Sequence, residues 1–140
     1  MNSHKEALRN LTRDDMVEKF RKSTLTIIEV FQKKSKDYDL DFYKEIGGFG
    51  LLLRIREKER RLNNLLLQEG PPQCEPIEDN IKDLSTAYTA LFSMLEFDLI
   101  SLDKLKILWG QALEVDIDEL IAIQDAKKSP KRKWYQFWKR

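Results

Sequence analysis

CEPIEDNIKDLSTAYTALFSMLEF, residues 74–97, decides the fold. At about 100° per residue, Ile77, Ile81, Leu84, Tyr88, Leu91 and Leu95 fall within one stripe of a helix. Asp79 and Asp83 lie on the far side, almost in line with Ala87, Ala90 and Met94. Two carboxylates one turn apart therefore sit on a face that becomes small and apolar just downstream. Ionised carboxylates beside apolar surface are costly unless a cation, a metal or hydrogen-bond donors meet them. Something positive is expected to face this helix.

The preceding helical pattern supplies such a group. Residues 49 to 67 read as a long helix with Leu51, Ile55, Leu62 and Leu66 as its buried stripe. Arg54, Lys58 and Arg61 stand on the flank of that stripe, at i, i+4 and i+7, where stems can be buried while charged heads gather at a rim. Upstream, Thr12 followed by Asp14 and Asp15 predicts a helix start, with acids at the positive end of the dipole. Met16, Phe20, Ile27, Ile28 and Phe31 recur at helical spacing from there to about Lys34. The segment 33–42 reads as a polar loop, Gly47, Gly48 and Gly50 as a flexible lead-in, and QEGPPQCEP, 68–76, as the strongest breaker in the chain. Ser101 to Leu113 forms a further helix ending near Gly110, and Asp116 caps a short one from Ile117 to about Ala126. With no persistent period-two alternation and no internal repeat, the expectation is an all-α bundle of four to five helices over residues 1–126, followed by a basic-aromatic tail, 127–140.

Composition narrows the chemistry. The 140 residues suit one domain, with 41% hydrophobic and 35% charged residues, as in a soluble helix-rich protein. No apolar run approaches a membrane span and the N-terminal stretch lacks an apolar signal region, so a cytoplasmic setting is expected. Cys74 and His4 are single residues of their kinds, which removes disulfide frameworks, cysteine zinc sites and histidine triads within one chain. The formal charge of +1 hides an asymmetry. The tail, KKSPKRKWYQFWKR, holds seven of the 25 Lys and Arg and no acid, leaving 18 basic against 24 acidic groups in the body.

Two chemistries fit the acidic and basic helices. Asp79 and Asp83, with Glu75 nearby, offer oxygen ligands to Mg²⁺, while Arg54, Lys58 and Arg61 suit a di- or triphosphate. A metal bridging phosphate oxygens would then activate water for hydrolysis. Alternatively, the carboxylates form salt bridges with Arg54, Lys58 or Arg61 inside the bundle and have no catalytic meaning. The GGFG at 47–50 lacks the spacing of a P-loop or dinucleotide fingerprint and is better read as a hinge or a close helix contact. Tyr38 and Phe42 could stack on a base or join the core.

Three blocks, FQKKSKDYDLDF at 31–42, GGFGLLLRIREKERRLNNL at 47–65 and EPIEDNIKDLSTAY at 75–88, resemble the phage and bacterial family called nucleotide modification associated domain, type one. The resembling positions are Lys34, Asp37 and Tyr38; Gly50, Arg54, Lys58, Arg61, Leu62, Asn64 and Leu65; and Glu75, Ile77, Asp79, Asp83 and Leu84. Asp39, Glu57, Pro76 and Asn80 depart from the pattern. The likeness spans about Val30 to Leu95, under half the chain, and implies a phage or mobile-element setting and a nucleotide or nucleotide-derived small molecule as partner. The chain is more distantly similar to the MazG-like all-α nucleoside triphosphate pyrophosphohydrolases. It has Glu75 and Glu78 before Asp79 and Asp83, and lacks their second acidic helix.

The expected function is therefore binding of a phosphorylated nucleoside, with Mg²⁺-dependent hydrolysis as an extension. The alternatives are a non-enzymatic helical interaction or adaptor protein, self-associating as a homo-oligomer, and a protein that sequesters a nucleotide signal. The tail, with Lys131, Arg132 and Lys133 beside Trp134 and Trp138, is compatible with single-stranded nucleic acid, with an anionic membrane surface, or with docking onto this body or a sister subunit. Docking or a solvated tail is favoured over either polymer surface.

Overall fold

The computed structural model describes the backbone of residues 3–38, 41–70 and 74–126, and the side chains of 6–33, 47–70 and 76–126. Every element among them is helical: α1 (Ser3–Arg9), α2 (Arg13–Tyr38), α3 (Asp41–Leu67), α4 (Cys74–Glu96), α5 (Leu102–Leu113) and α6 (Ile117–Ala126). The all-α expectation holds, and the expected count of four to five rises to six because of α1. That helix has seven residues and an exposed Leu8, so no amphipathic repeat marks it. No described helix is long and apolar enough to cross a membrane.

Local chemistry sets the helix ends. Thr12 and Asp15 form a reciprocal cap: the Asp15 amide donates to Thr12 Oγ1 at 3.1 Å and the Thr12 amide to Asp15 Oδ2 at 3.2 Å. Those bonds to Thr12 hold the exposed Asp15 carboxyl below its ordinary range. Ser101 Oγ accepts from the Lys104 amide and Asp116 Oδ1 from the Glu119 amide, each at 3.1 Å, which starts α5 and α6. α4 stops in a Schellman turn. The Leu99 amide bonds the Met94 carbonyl at 2.8 Å and the Asp98 amide bonds that of Leu95 at 3.3 Å, with Asp98 at φ 56° where glycine is usual.

The segment expected as a loop, 33–42, is helical at both ends, since α2 runs to Tyr38 and α3 begins at Asp41. A further interruption falls inside α3, at Gly47. Its φ of 60° and ψ of −154° lie in a region that essentially only glycine enters, so the helical run is interrupted there. Gly48 then lets α3 pass close to α5, because a Cβ on it would come within 3.0 Å of Ile100 and Leu108 side chains.

From Gly48 onward α3 is the central post. Leu51, Leu52, Leu53 and Ile55 are all buried, and consecutive buried positions mean that the helix is covered on every side. α4, α5 and α6 pack around it, and α2 packs on the outer side of α4. The core joins those four residues to Leu84, Ala87, Ala112, Ile117 and Leu120. Leu66, expected in the buried stripe, is 60% exposed because α3 there runs past its neighbours. Met16, Phe20 and Ile28 of α2 are also exposed, and among the described side chains of that helix only Ile27, Val30 and Phe31 are half-buried apolar residues.

Candidate functional site

α4 presents a different face to the core from the one its large residues mark. Leu84 is buried, but Ile81 and Tyr88 of the same stripe are 48% and 46% exposed, whereas Ala87 is 3% exposed and Ala90 and Met94 pack against the core. The buried face is thus turned by roughly 75° toward the small residues. Small side chains let α4 approach α3 closely, and the close approach fixes the rotation.

That rotation carries Asp83 into the α3–α4 groove. Its Oδ2 lies 3.1 Å from Lys58 Nζ and 3.9 Å from Arg54 Nη2, and all three side chains are largely buried, at 12–18% exposure. Burial pushes the Lys58 amine below its ordinary value, and the adjacent Arg54 charge pushes it the same way; Asp83 and Glu57 act against both. Asp79, one turn earlier on α4, is exposed to solvent.

Arg61 belongs to a second cluster on the other flank of α3. Its Nε donates to Glu57 Oε1 at 2.9 Å, and its Nη2 to Asp125 Oδ1 at 3.0 Å and Gln124 Oε1 at 3.3 Å. Glu57 is only 4% exposed, and its Oε2 is buried without a partner among the described residues. This clamp ties α3 to the end of α6. Arg60 and Asp118 make a two-pronged pair at 2.9 Å beside it, at the start of α6. Arg56 reaches across to donate to the carbonyls of Ala112 and Val115, the latter at 2.9 Å, where α5 ends.

The predicted phosphate rim is therefore divided. Arg54 and Lys58 meet Asp83, while Arg61 faces α6. Of the predicted metal ligands, Asp83 is engaged by cations and Asp79 stands in solvent. The Glu75 and Tyr38 side chains lie outside the described residues, as do Lys131, Arg132, Lys133, Trp134 and Trp138 of the tail. Among the described residues no group of three or more His, Cys, Asp or Glu is placed to hold a metal ion.

Sequence reasoning missed Arg56, Glu57 and Arg60. A usable signal existed for one of them: Glu57 and Arg61 are an i, i+4 pair of the favourable order. Nothing local distinguishes Arg56 from its basic neighbours, because its acceptors lie 56 and 59 residues away.

A further contact crosses the outer side of the α3–α4 junction, where the Tyr88 hydroxyl donates to Glu59 Oε1. Partial burial, then the bond to and the charge of Glu59, push the phenol up to about 12. Its folded-state pKa exceeds the ordinary 10, so this contact contributes stability that is intact below pH 10 and is lost as pH rises through about 12. In an alkaline ultraviolet titration, one tyrosine should ionise later than the others, and Tyr88→Phe should remove that late step. A titration unchanged by the substitution would refute the assignment. Below Tyr88 lies an apolar cleft of about 350 Å³ between Leu52, Ile55, Leu91, Leu105 and Trp109.

The chain matches no protein-family model, no curated protein and no solved structure.

Proposed function

We propose that this chain is a non-enzymatic helical interaction protein whose charged residues on α3 and α4 are structural ion pairs. One observation carries the reading: the Asp83 carboxylate, which a bound metal would need, lies 3.1 Å from the Lys58 amine in a largely buried groove. The opposed apolar and charged demands of α4 are met within the chain. Support also comes from large apolar side chains left on the outside, among them Phe20, Phe92, Phe97, Leu99 and Leu102, each more than half exposed. Exposed apolar surface that is contiguous marks an interaction site, and Phe97, Leu99 and Leu102 fall within six residues at the turn between α4 and α5.

A second reading keeps the nucleotide. It takes Asp79, Asp83 and Glu75 as ligands for Mg²⁺ and Arg54, Lys58 and Arg61 as phosphate contacts, in the manner of the family that the sequence resembles. The observation in its favour is Lys58, a cation depressed by burial and by Arg54, which an incoming phosphate would restore. Hydrolysis and simple sequestration both follow from it.

Thermal unfolding of Asp83→Asn separates the two. As a structural partner, Asp83 leaves a largely buried amine facing a neutral amide when replaced, and the variant should lose about 2 kcal/mol of stability. Wild-type melting should not move with a panel of nucleotides and Mg²⁺. A variant as stable as wild type or more so, with a nucleotide-dependent rise in wild-type melting temperature, would reject the interaction reading in favour of the ligand site.

A further inference from the structure

The apolar cleft below Tyr88 has an open mouth. Leu102 is 59%, Tyr88 46% and Trp109 37% exposed around it, and a single cation, Lys106, stands at its rim. Trp109 also borders a second depression, polar and about 520 Å³ in volume, which opens beside Glu59, Asp116 and Asp118 at the start of α6. The cations of that second depression are already engaged, Arg56 by the carbonyls at the end of α5 and Arg60 by Asp118. An apolar cleft and an acidic surface thus adjoin at one indole ring.

The end of the chain is complementary to both. Residues 107–126 hold five acids and no base. Asp118 and Asp125 meet Arg60 and Arg61, whereas Glu114, Asp116 and Glu119 have no ion pair among the described residues. The tail that follows is opposite in sign, and its residues are ordered. Five of its seven bases come first, at 127–133, and Trp134, Tyr135, Phe137 and Trp138 come next. A chain turning back from Ala126 meets surfaces in the same order, the acids of α6 and then the cleft. The distance also fits. α6 has 10 residues, so its start lies about 15 Å from its end. Trp134 is eight residues past Ala126, and eight extended residues span about 26 Å. Lys106 fits the same occupant, because an aromatic ring over an ammonium is attracted to it where a base would be repelled.

We infer that residues 127–140 fold back along α6 and seat Trp134 and Trp138 in the cleft between Tyr88, Leu102 and Trp109, closing it from within the chain. The bases at 127–133 then lie against Glu119, Asp116 and Glu114. Tethering makes this closure intramolecular, so contacts too weak to hold a separate peptide suffice. Any other apolar partner of the cleft has to displace the tail first. Neither reading of Asp83 bears on this contact.

Trp109, Trp134 and Trp138 are the three tryptophans of the chain, so their substitution isolates the one in the cleft. A full-length Trp134→Phe/Trp138→Phe variant keeps rings in the tail and reports Trp109 alone; a full-length Trp134→Ser/Trp138→Ser variant removes those rings. Acrylamide quenching of Trp109 should be about twofold or more stronger in the serine variant, with its emission shifted to the red, because the ring that covers it is gone. Circular dichroism should show the same helix content in both. Glu114→Lys/Glu119→Lys, added to the phenylalanine variant, should raise quenching in the same direction by repelling the bases. Equal quenching in the phenylalanine and serine variants overturns the proposal. Indifference to Glu114→Lys/Glu119→Lys overturns the path along α6. A difference that emerges only as protein concentration rises assigns the cleft to the tail of a second copy and overturns closure within the chain.

Discussion

Leu53→Ala should destabilise the fold by about 4 kcal/mol, measured as a shift in the urea midpoint with an unchanged slope. Leu53 has no solvent exposure and lies in the stretch of α3 that is covered on all sides. Its neighbours are held by three surrounding helices and cannot collapse together, so both the transfer term and the cavity term should apply in full. A domain of this size is commonly stable by about 5–15 kcal/mol, so the loss is a large share. Leu66→Ala, on the same helix and 60% exposed, should cost well under about 1 kcal/mol. Equal losses at the two positions would mean that α3 is not the central post.

The second large effect is expected at Arg56. Arg56→Met should cost about 3 kcal/mol, although it retains an apolar stem of similar length. The guanidinium serves carbonyls at the end of α5: that of Ala112, whose turn bond from the Val115 amide is a long 3.2 Å, and that of Val115, beyond the last turn. Ala112 is fully buried, so water is a poor replacement beside it. A cation at the negative end of a helix dipole adds to the loss. Because the Arg56 contacts flank the turn into α6, amide exchange in Ile117–Ala126 should accelerate more than in α4. Uniform acceleration across all helices would show that Arg56 contributes to the whole fold and not to this junction.

Both effects arise on α3, and so does the division of its cations that shapes the functional proposal. Within little more than two turns this helix sends Arg54 and Lys58 to α4, Arg56 to the end of α5, and Arg60 and Arg61 to α6. A helix surrounded on all sides needs polar anchors on all sides. Each anchor here has an acceptor on a neighbouring helix or turn, so the basic run 54–61 is read more simply as scaffolding than as one phosphate-binding rim.

Much of this was legible from residues 74–97 and their neighbours. The helical period, the caps at Thr12 and Asp116, and the end of α3 at Leu67 are local properties, expressed within a turn or two of chain. The cationic partners of Asp83 were also foreseeable, because a carboxylate on an apolar face demands them and the preceding helix holds them. The Schellman turn at Asp98 was not, since aspartate stands where glycine would have signalled it.

The sequence by itself determined four to five helical stretches with the turns between them, and an acid on an apolar face that needs a base. Which base, and which faces are covered, only the tertiary structure decided. Hydrophobic spacing assigns a stripe to a helix but not its rotation against a neighbour, and on α4 close packing of Ala87 and Ala90 outweighed the larger Ile81 and Tyr88. That turn of the helix brought Asp83 to Lys58 and left Asp79 in water. The same spacing on α2 marks Phe20 as apolar without saying whether its own chain or another one covers it.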